Sequence, residues 1–352
     1  MTDNKQITAY LRHISDRLTG NRSSLDNNGL LNGQTGIALF FFHLARGTGN
    51  NVYEEYAGEL IDRICESLHP DMPAGYADGL AGLGVGMEYM IRQGFIDANA
   101  DELLEDIDNI ILHHTLYYLP PSPEISLGIT GFGKYYTERL SNRTENPKDA
   151  TKKKYLDEII KALSCPYNTC GELLSVIHFL SGVIPWGVAP ETTGAYLNYA
   201  LDKLETLVYE DQHFGKNPGQ FNPLIAASVL CQASEKTGNS TCFDKAGHYL
   251  QRYEPGFRAH IDRDLPMNML KWSFLYSYLG KKVQSSEFLH LSEKCLNAFL
   301  TKESDQNAPV GLLDGYAGAG MYLLSLNNQC TDDWLDIVPC YVERTTPKII
   351  MS

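Results

Sequence analysis

Residues 311–324 read GLLDGYAGAGMYLL. The second half of this stretch has its aliphatic residues spaced as on the buried face of an α-helix. Three glycines, Gly315, Gly318 and Gly320, lie where that helix should begin. Glycine destabilises a helix interior by about 1 kcal/mol relative to alanine. A buried helix that begins with glycines therefore needs a local reason for them.

The pattern G-x-x-G followed by an apolar run occurs at three other places in the chain. These copies read LLNGQTGIALFFF, YADGLAGLGVGMEYM and ISLGITGFGKYY, and their first glycines are Gly33, Gly79 and Gly128. Gly79 follows Gly33 by 46 residues, Gly128 follows Gly79 by 49, and Gly315 follows Gly128 by 187, which is close to four times 47. The spacing indicates a sevenfold repeat, with three weaker copies between Gly128 and Gly315.

Apolar runs with few glycines lie at the three expected places: LLSVIHFLSGVI (173–184), GQFNPLIAASVL (219–230) and NMLKWSFLYSYLG (268–280). Seven amphipathic segments alternate with the seven copies, and their apolar residues recur at steps of three and four. These segments cover residues 7–18, 53–68, 101–119, 153–163, 193–208, 243–253 and 286–300. Because β-strand patterns are weak by comparison, the sequence predicts seven pairs of α-helices.

Pairs of one apolar and one amphipathic helix predict two layers, and a closed ring needs none of the polar end caps of an open solenoid. We therefore predict an all-α fold, an α/α toroid of seven helical hairpins with an inner apolar ring and an outer amphipathic ring. It forms one domain over residues 1–352, with repeats over about 5–325 and no assignment for 331–352.

In such a ring, glycine at the start of an inner helix would allow either a close approach of neighbouring backbones or a positive φ. The first turn of each inner helix would also leave N–H groups free for polar ligands. All seven helix starts would point at one central funnel, which is the natural pocket of this architecture.

Composition limits the possible partners. The chain has 352 residues and a net charge of −14, so its surface would repel phosphate backbones and we predict no nucleic-acid partner. No apolar run approaches the roughly 20 residues of a membrane span, and the polar N-terminus lacks the core of a signal peptide. We predict a cytoplasmic protein. The eight cysteines form no C-x2-C pair and are interpreted as buried free thiols.

Seven α-hairpins with G-x-x-G at the inner-helix starts resemble the lanthionine synthetase C (LanC) family, and GLLDGYAGAGMYLL is especially similar to the last repeat of that family. The resemblance implies an enzyme that closes thioether rings in ribosomal peptides. A peptide thiol adds to dehydroalanine or dehydrobutyrine, and a zinc ion lowers the pKa of that thiol. In the family, a cysteine of repeat five and an adjacent Cys-His pair of repeat six hold the zinc, and a histidine of repeat four is a candidate acid/base.

Matched to these motifs, HFLSG places His178 at the histidine position of repeat four, which makes it the predicted catalytic acid/base. In repeat five Asn222 stands at the cysteine position. In repeat six the Cys-His position falls within Lys271, Trp272 and Ser273. Zinc prefers Cys and His ligands. The resemblance therefore implies a divergent member that lacks the family's zinc ligands, and we predict no metal and no cofactor.

Polar residues just before the inner helices either cap those helices or line the funnel. Lys271 either is solvated, meets an acidic ligand group, or pairs with an aspartate of another repeat. Trp272 packs either in the core or against a ligand peptide. The predicted ligand-binding residues are Asp78, Glu124, Asn222, Lys271, Trp272 and Asp314, and Asn32 occupies the same slot as Asp78 and Asp314.

Four functions remain open. We predict a LanC-like protein of ribosomal-peptide modification that binds a peptide or a partner modification enzyme in the funnel without zinc-dependent cyclisation. The second is an active lanthionine cyclase with a rearranged site. The third is a toroid-fold carbohydrate-active enzyme, a glycosidase or epimerase, which would need two carboxylates about 5–10 Å apart. The fourth is a scaffold with no small-molecule site. Whether the chain is an enzyme stays open.

Overall fold

The structure, a computed structural model, describes residues 4–20, 27–140, 147–163, 167–214, 221–260, 266–301 and 308–341. Within these ranges there is no β-strand, and the regular structure is fifteen α-helices and short 3₁₀ turns. The helices are α1 (Asn4–Gly20), α2 (Gln34–Thr48), α3 (Asn51–Glu66), α4 (Leu80–Arg92), α5 (Ala100–Leu103), α6 (Glu105–Tyr117), α7 (Ile129–Leu140), α8 (Pro147–Ala162), α9 (Cys170–Val183), α10 (Pro190–Phe214), α11 (Pro223–Thr237), α12 (Ser240–His260), α13 (Pro266–Lys282), α14 (Ser286–Thr301) and α15 (Tyr316–Leu326).

The apolar helices close into a ring. Each of α2, α4, α7, α9, α11, α13 and α15 packs against the next, and α15 packs against α2. The amphipathic helices lie outside: α3, α6, α8, α10, α12 and α14 each pack on the inner helix that precedes them in the chain, and α1 packs on α15. The predicted all-α toroid of seven hairpins is therefore confirmed. The assignment of residues 1–352 to one domain stays a prediction.

The four G-x-x-G copies fold into one recurring loop that passes over the start of an inner helix. In each copy the first helical N–H donates to the carbonyl oxygen seven residues earlier, at 2.7–2.8 Å: Gln34 to Asn27, Leu80 to Pro73, Ile129 to Ser122 and Tyr316 to Pro309. These carbonyls take the place of a side-chain cap. The expectation that such N–H groups are free for ligands is wrong at these four positions, because the loop already binds them.

The glycines are required because the loop backbone lies directly on the helix. A Cβ atom on Gly318 would collide with the carbonyl oxygen of Leu312, and a Cβ on Gly82 would collide with that of Tyr76. None of the motif glycines has a positive φ. The first glycines of three motifs, Gly33, Gly79 and Gly315, are N-caps in ordinary extended backbone, with φ −123° at Gly315. Close approach is therefore the reason for the glycines.

Neighbouring loops also bond to one another across the face where the inner helices begin, which we call the central face. The Leu313 N–H donates to the Leu31 carbonyl at 3.0 Å, that of Leu31 to Ala77 at 2.9 Å, and that of Ala77 to Ser126 at 3.0 Å. Main-chain bonds thus join the loops of repeats seven, one, two and three into a continuous arc.

The weaker repeats begin their inner helices differently. Thr169 and Glu172 form a capping box at the start of α9. Asn222 caps α11, which has Pro223 in its first turn, and α13 begins at Pro266. The described starts of these three helices therefore have a capping box, an asparagine cap or a proline in the first turn, none of which requires glycine.

The C-terminal part that had no assignment from sequence lies inside the ring. After α15 the chain turns at Asn328, with φ 54°, and forms a 3₁₀ helix, Asp332–Asp336. We call residues 332–341 the axial segment. It begins at the C-terminal end of α4, where Gln93 donates to Asp333. It ends at the central face, where Cys340 lies near Asp314. Residues 342–352 lie outside the described part of the chain.

The crossing loop predicts opposite effects for two Gly→Ala substitutions. Gly318→Ala should lower the free energy of unfolding by about 1–3 kcal/mol, because the new methyl group overpacks against the loop. Gly247→Ala is the matched control, since nothing lies within 4 Å of its added Cβ in α12, and it should raise stability by about 0.5–1 kcal/mol. Urea denaturation followed by circular dichroism measures both. Equal effects would contradict the role of close approach.

Candidate functional site at the central face

Asp78 connects the loops of repeats one and two. Its carboxylate accepts from Asn27 Nδ2 at 2.9 Å and from Asn32 Nδ2 at 3.0 Å. Gly79 is the N-cap of α4, and no side chain caps that helix. Asp78 therefore does not cap, and its carboxylate remains exposed at the central face.

A cleft of about 590 Å³ opens beside this contact, between the first two loops and the end of α3. That volume lies within the usual range of ligand sites. Its polar lining includes Asn27, Asn28, Arg63, His69, Asp71 and Asp78. Two amides are fixed by hydrogen bonds, since Gln34 Nε2 donates to Asn28 Oδ1 at 2.9 Å and Asn28 Nδ2 donates to Ser67 Oγ at 2.6 Å.

Arg63 is the cation of this cleft. Its Nε donates to the Glu59 carbonyl at 3.2 Å, while its Nη2 is buried and has no hydrogen-bond partner within the described ranges. A buried donor without an acceptor is costly, so the guanidinium is available to an acceptor on a ligand. Sequence reasoning missed Arg63. In the amphipathic segment 53–68, Arg63 occupies a polar position of the helical pattern, as an ordinary solvent-exposed arginine would.

Between repeats six and seven of the central face, Lys271 pairs with Asp314. The Lys271 Nζ lies 3.4 Å from Asp314 Oδ1, and the lysine is 8% exposed. Of the alternatives open from sequence, the pair with an aspartate of another repeat is the one found. The Cys340 thiol lies nearby, beside Tyr322. Burial raises the pKa of this thiol, although the charge of Lys271 acts to lower it, so the surroundings disfavour a thiolate.

The other predicted ligand-binding residues have structural contacts. Asn222 Oδ1 accepts from two N–H groups in the first turn of α11, at 3.1 and 3.2 Å. Trp272 is half-buried and packs against the apolar core. Glu124 lies in the loop before α7 and accepts from Ser126 Oγ at 3.2 Å. Their roles toward a ligand stay predictions.

His178 lies inside the ring. It is 2% exposed, and its Nε2 donates to the Asp336 carbonyl of the axial segment at 3.0 Å. The Tyr341 ring lies edge-on to it, and its Nδ1 has no partner in the described residues. Burial, and then the charge of Lys236, lower the pKa of His178 to about 3. The imidazole is therefore neutral, and the axial segment lies on it.

Comparison with known proteins agrees with this arrangement. Residues 24–173 match the family model of lanthionine synthetase C-like protein. The match covers the first three hairpins, which hold three of the four crossing loops, and ends at the start of α9. A solved structure titled nisin cyclase matches with a TM-score of 0.64 and 13% sequence identity, over 96% of this chain and 97% of that chain. The shared fold is the α/α toroid. A search of curated proteins found no match.

The two positions that the resemblance assigns to zinc ligands, Asn222 and Lys271, already have other contacts. The Asn222 oxygen is already bound to two backbone N–H groups. Lys271 brings an ammonium group to the second position and is paired with Asp314. In the part of the chain that the structure describes, no three His, Cys, Asp or Glu side chains form a group that could hold a metal. This donor set does not fit zinc, and the absence of a cofactor stays a prediction.

Two other features bear on the sequence predictions. Among the described helices, none combines the length and apolar character of a membrane span. Seven of the eight cysteines are free thiols, and Cys165 lies outside the described residues.

The environment of His178 predicts a specific loss of stability in acid. The unfolded state takes up a proton near pH 6.5, whereas folded His178 stays neutral down to about 3, so stability falls as the pH falls below 6.5. Between pH 6.5 and 5.0, His178→Gln should lose about 1.5 kcal/mol less unfolding free energy than the wild type. His43, whose pKa burial lowers to about 4, contributes with the same sign in both proteins.

Urea denaturation at the two pH values measures this difference. His290→Gln is the control, because His290 is exposed on α14 and its replacement should leave the wild-type pH dependence unchanged. An unchanged pH dependence in His178→Gln would show that His178 is protonated in the folded protein.

Proposed function

We propose that this protein is a lanthionine synthetase C-like protein of ribosomal-peptide modification that binds a peptide at the central face, without zinc-dependent thioether formation. The observation that carries the proposal is the pair Lys271–Asp314 together with the capping role of Asn222, at the positions where a cyclase would hold its metal. The family match over residues 24–173 and the shared toroid fold support the first part of the proposal.

The cleft between repeats one and two supports a peptide as the ligand. A peptide offers carbonyl and carboxylate acceptors as well as N–H donors. Arg63 supplies an unpaired donor, and the carboxylates of Asp71 and Asp78 supply acceptors in the same cleft. The guanidinium would bind a carboxylate of the peptide through a charge-assisted hydrogen bond, and the aspartates would accept from its amides or amines.

The pair Lys271–Asp314 argues against activation of a peptide thiol. Thioether formation needs the thiolate of that peptide at neutral pH. The positive charge of Lys271 is compensated by Asp314 at 3.4 Å, so it offers little net stabilisation to a second anion. A peptide or a partner modification enzyme stays the proposed partner, in the cytoplasm.

The contribution of Arg63 can be tested with two fluorescein-labelled pools of eight-residue peptides, one with and one without Asp and Glu. Arg63→Met should weaken binding of the acidic pool about tenfold, since it removes a charged hydrogen bond, and should leave the neutral pool unchanged. Fluorescence anisotropy measures both affinities. Arg12→Met, at an exposed position on α1, is the matched control. Equal affinities of wild type and Arg63→Met for the acidic pool would exclude the cleft as the peptide site.

Metal content tests the second part of the proposal. Protein purified without chelators and analysed by plasma mass spectrometry should contain far less than one zinc per chain. One equivalent of zinc that survives dialysis would instead favour an active lanthionine cyclase with a rearranged site. In that case Lys271→Ala should increase zinc retention by removing a positive charge from the central face.

A further inference from the structure

Charged side chains of the inner helices surround the axis of the ring. Lys134 is buried and lies 2.7 Å from Glu138, and Arg92 also lies 2.7 Å from Glu138. Lys236 approaches from α11. Lys134 is buried, whereas the side chains of Arg92 and Lys236 are 28% and 24% exposed. Glu138 balances one of these three cations, and a second carboxylate in the interior would form charge-assisted hydrogen bonds with the others.

Asp336 of the axial segment supplies a second carboxylate. It lies 2.9 Å from Lys134 Nζ and also bonds to Lys236, while its carbonyl accepts from His178. Burial alone would raise the pKa of Asp336, but the two ammonium groups hold it well below its usual range. One residue of the segment thus bonds to three different inner helices, α7, α9 and α11.

Trp334 is the apolar anchor of the segment. It is fully buried, with its ring 5.5 Å from the rings of both Phe274 and Tyr322. Its Nε1 donates to Ser325 Oγ at 3.0 Å. A large aromatic side chain with a satisfied polar atom is the usual anchor of a recognised peptide. These contacts involve α13 and α15, on the other side of the axis from Lys134.

Two tyrosines of the ring donate hydrogen bonds to the axial segment. Tyr76 donates to the Ile337 carbonyl at 2.7 Å, and Tyr89 donates to Asp333 Oδ1 at 3.2 Å. The ring does not need the segment in order to close, because α15 packs directly on α2. The segment follows the turn at Asn328, which is exposed.

We propose that the interior of the ring is a peptide-binding site, and that its resident ligand is the chain's own axial segment, selected by Trp334 and Asp336. The class of ligand is an acidic, apolar peptide with a tryptophan two residues before an aspartate. The proposal rests on the contacts of residues 332–341 and is independent of any ligand at the central face.

The test starts from the folded full-length protein with a protease recognition sequence inserted at Asn328. After cleavage the C-terminal fragment should remain bound and co-elute with the ring in gel filtration. A labelled peptide of residues 331–341, kept reduced, should then exchange into the cut protein. The same peptide with Asp336→Asn should compete about thirtyfold less well, because it leaves the cations of the interior without their second carboxylate.

Thr331→Ala in the peptide is the control. Thr331 is exposed, and its hydroxyl donates to Asp333 within the peptide, so this variant should compete nearly as well as the wild-type peptide. Equal competition by the Asp336→Asn and Thr331→Ala peptides would overturn the proposed selectivity.

Three other outcomes would overturn the proposal itself. The cut protein could unfold, which would make the segment part of the core and not a ligand. The fragment could leave a folded ring that fails to rebind the peptide. The peptide could also fail to exchange even in urea just below the unfolding transition. As a second measurement, Asp336→Asn in the uncut chain should shift the urea midpoint further than Thr331→Ala, and equal shifts would count against the site.

Discussion

The structure depends on one backbone hydrogen bond, from the first N–H of an inner helix to the carbonyl seven residues earlier. It occurs four times, at Gln34, Leu80, Ile129 and Tyr316. The bond forces the incoming chain to cross the helix start at van der Waals distance, and only glycine tolerates that approach at residues such as Gly318. Because the crossing loops then bond to each other, they also fix how neighbouring hairpins are placed.

The central face is accordingly built in two ways. Repeats seven, one, two and three form an arc of main-chain bonds, while α9, α11 and α13 begin with a side-chain cap or a proline. The arc includes most of the region that matches the family model. The other repeats include Asn222 and Lys271, which lie outside the region that matches the family model. Geometry set by backbone bonds tolerates few substitutions, whereas a side-chain cap accepts several residue types.

Much of the fold could be predicted from the sequence, because helical periodicity and glycine spacing are local signals. The sequence predicted close approach as one of two reasons for glycines such as Gly318, and an aspartate of another repeat as one possible partner of Lys271. The axial segment could not be predicted, since its ten residues have no periodicity and their contacts join residues as distant in sequence as Tyr76 and Ile337. The same holds for Arg63, whose importance comes from what the fold places beside it, and for His178, whose solvent access is removed by that segment.

Ring closure between α15 and α2 has a consequence for how the protein is made. Helix α1 packs on α15, so it has its inner partner only after all the other inner helices have been synthesised. Until then the face of α2 that packs against α15 has no partner. Such late, long-range closure slows folding and prolongs exposure of apolar surface. The incomplete ring is therefore more prone to aggregation during synthesis than the finished one.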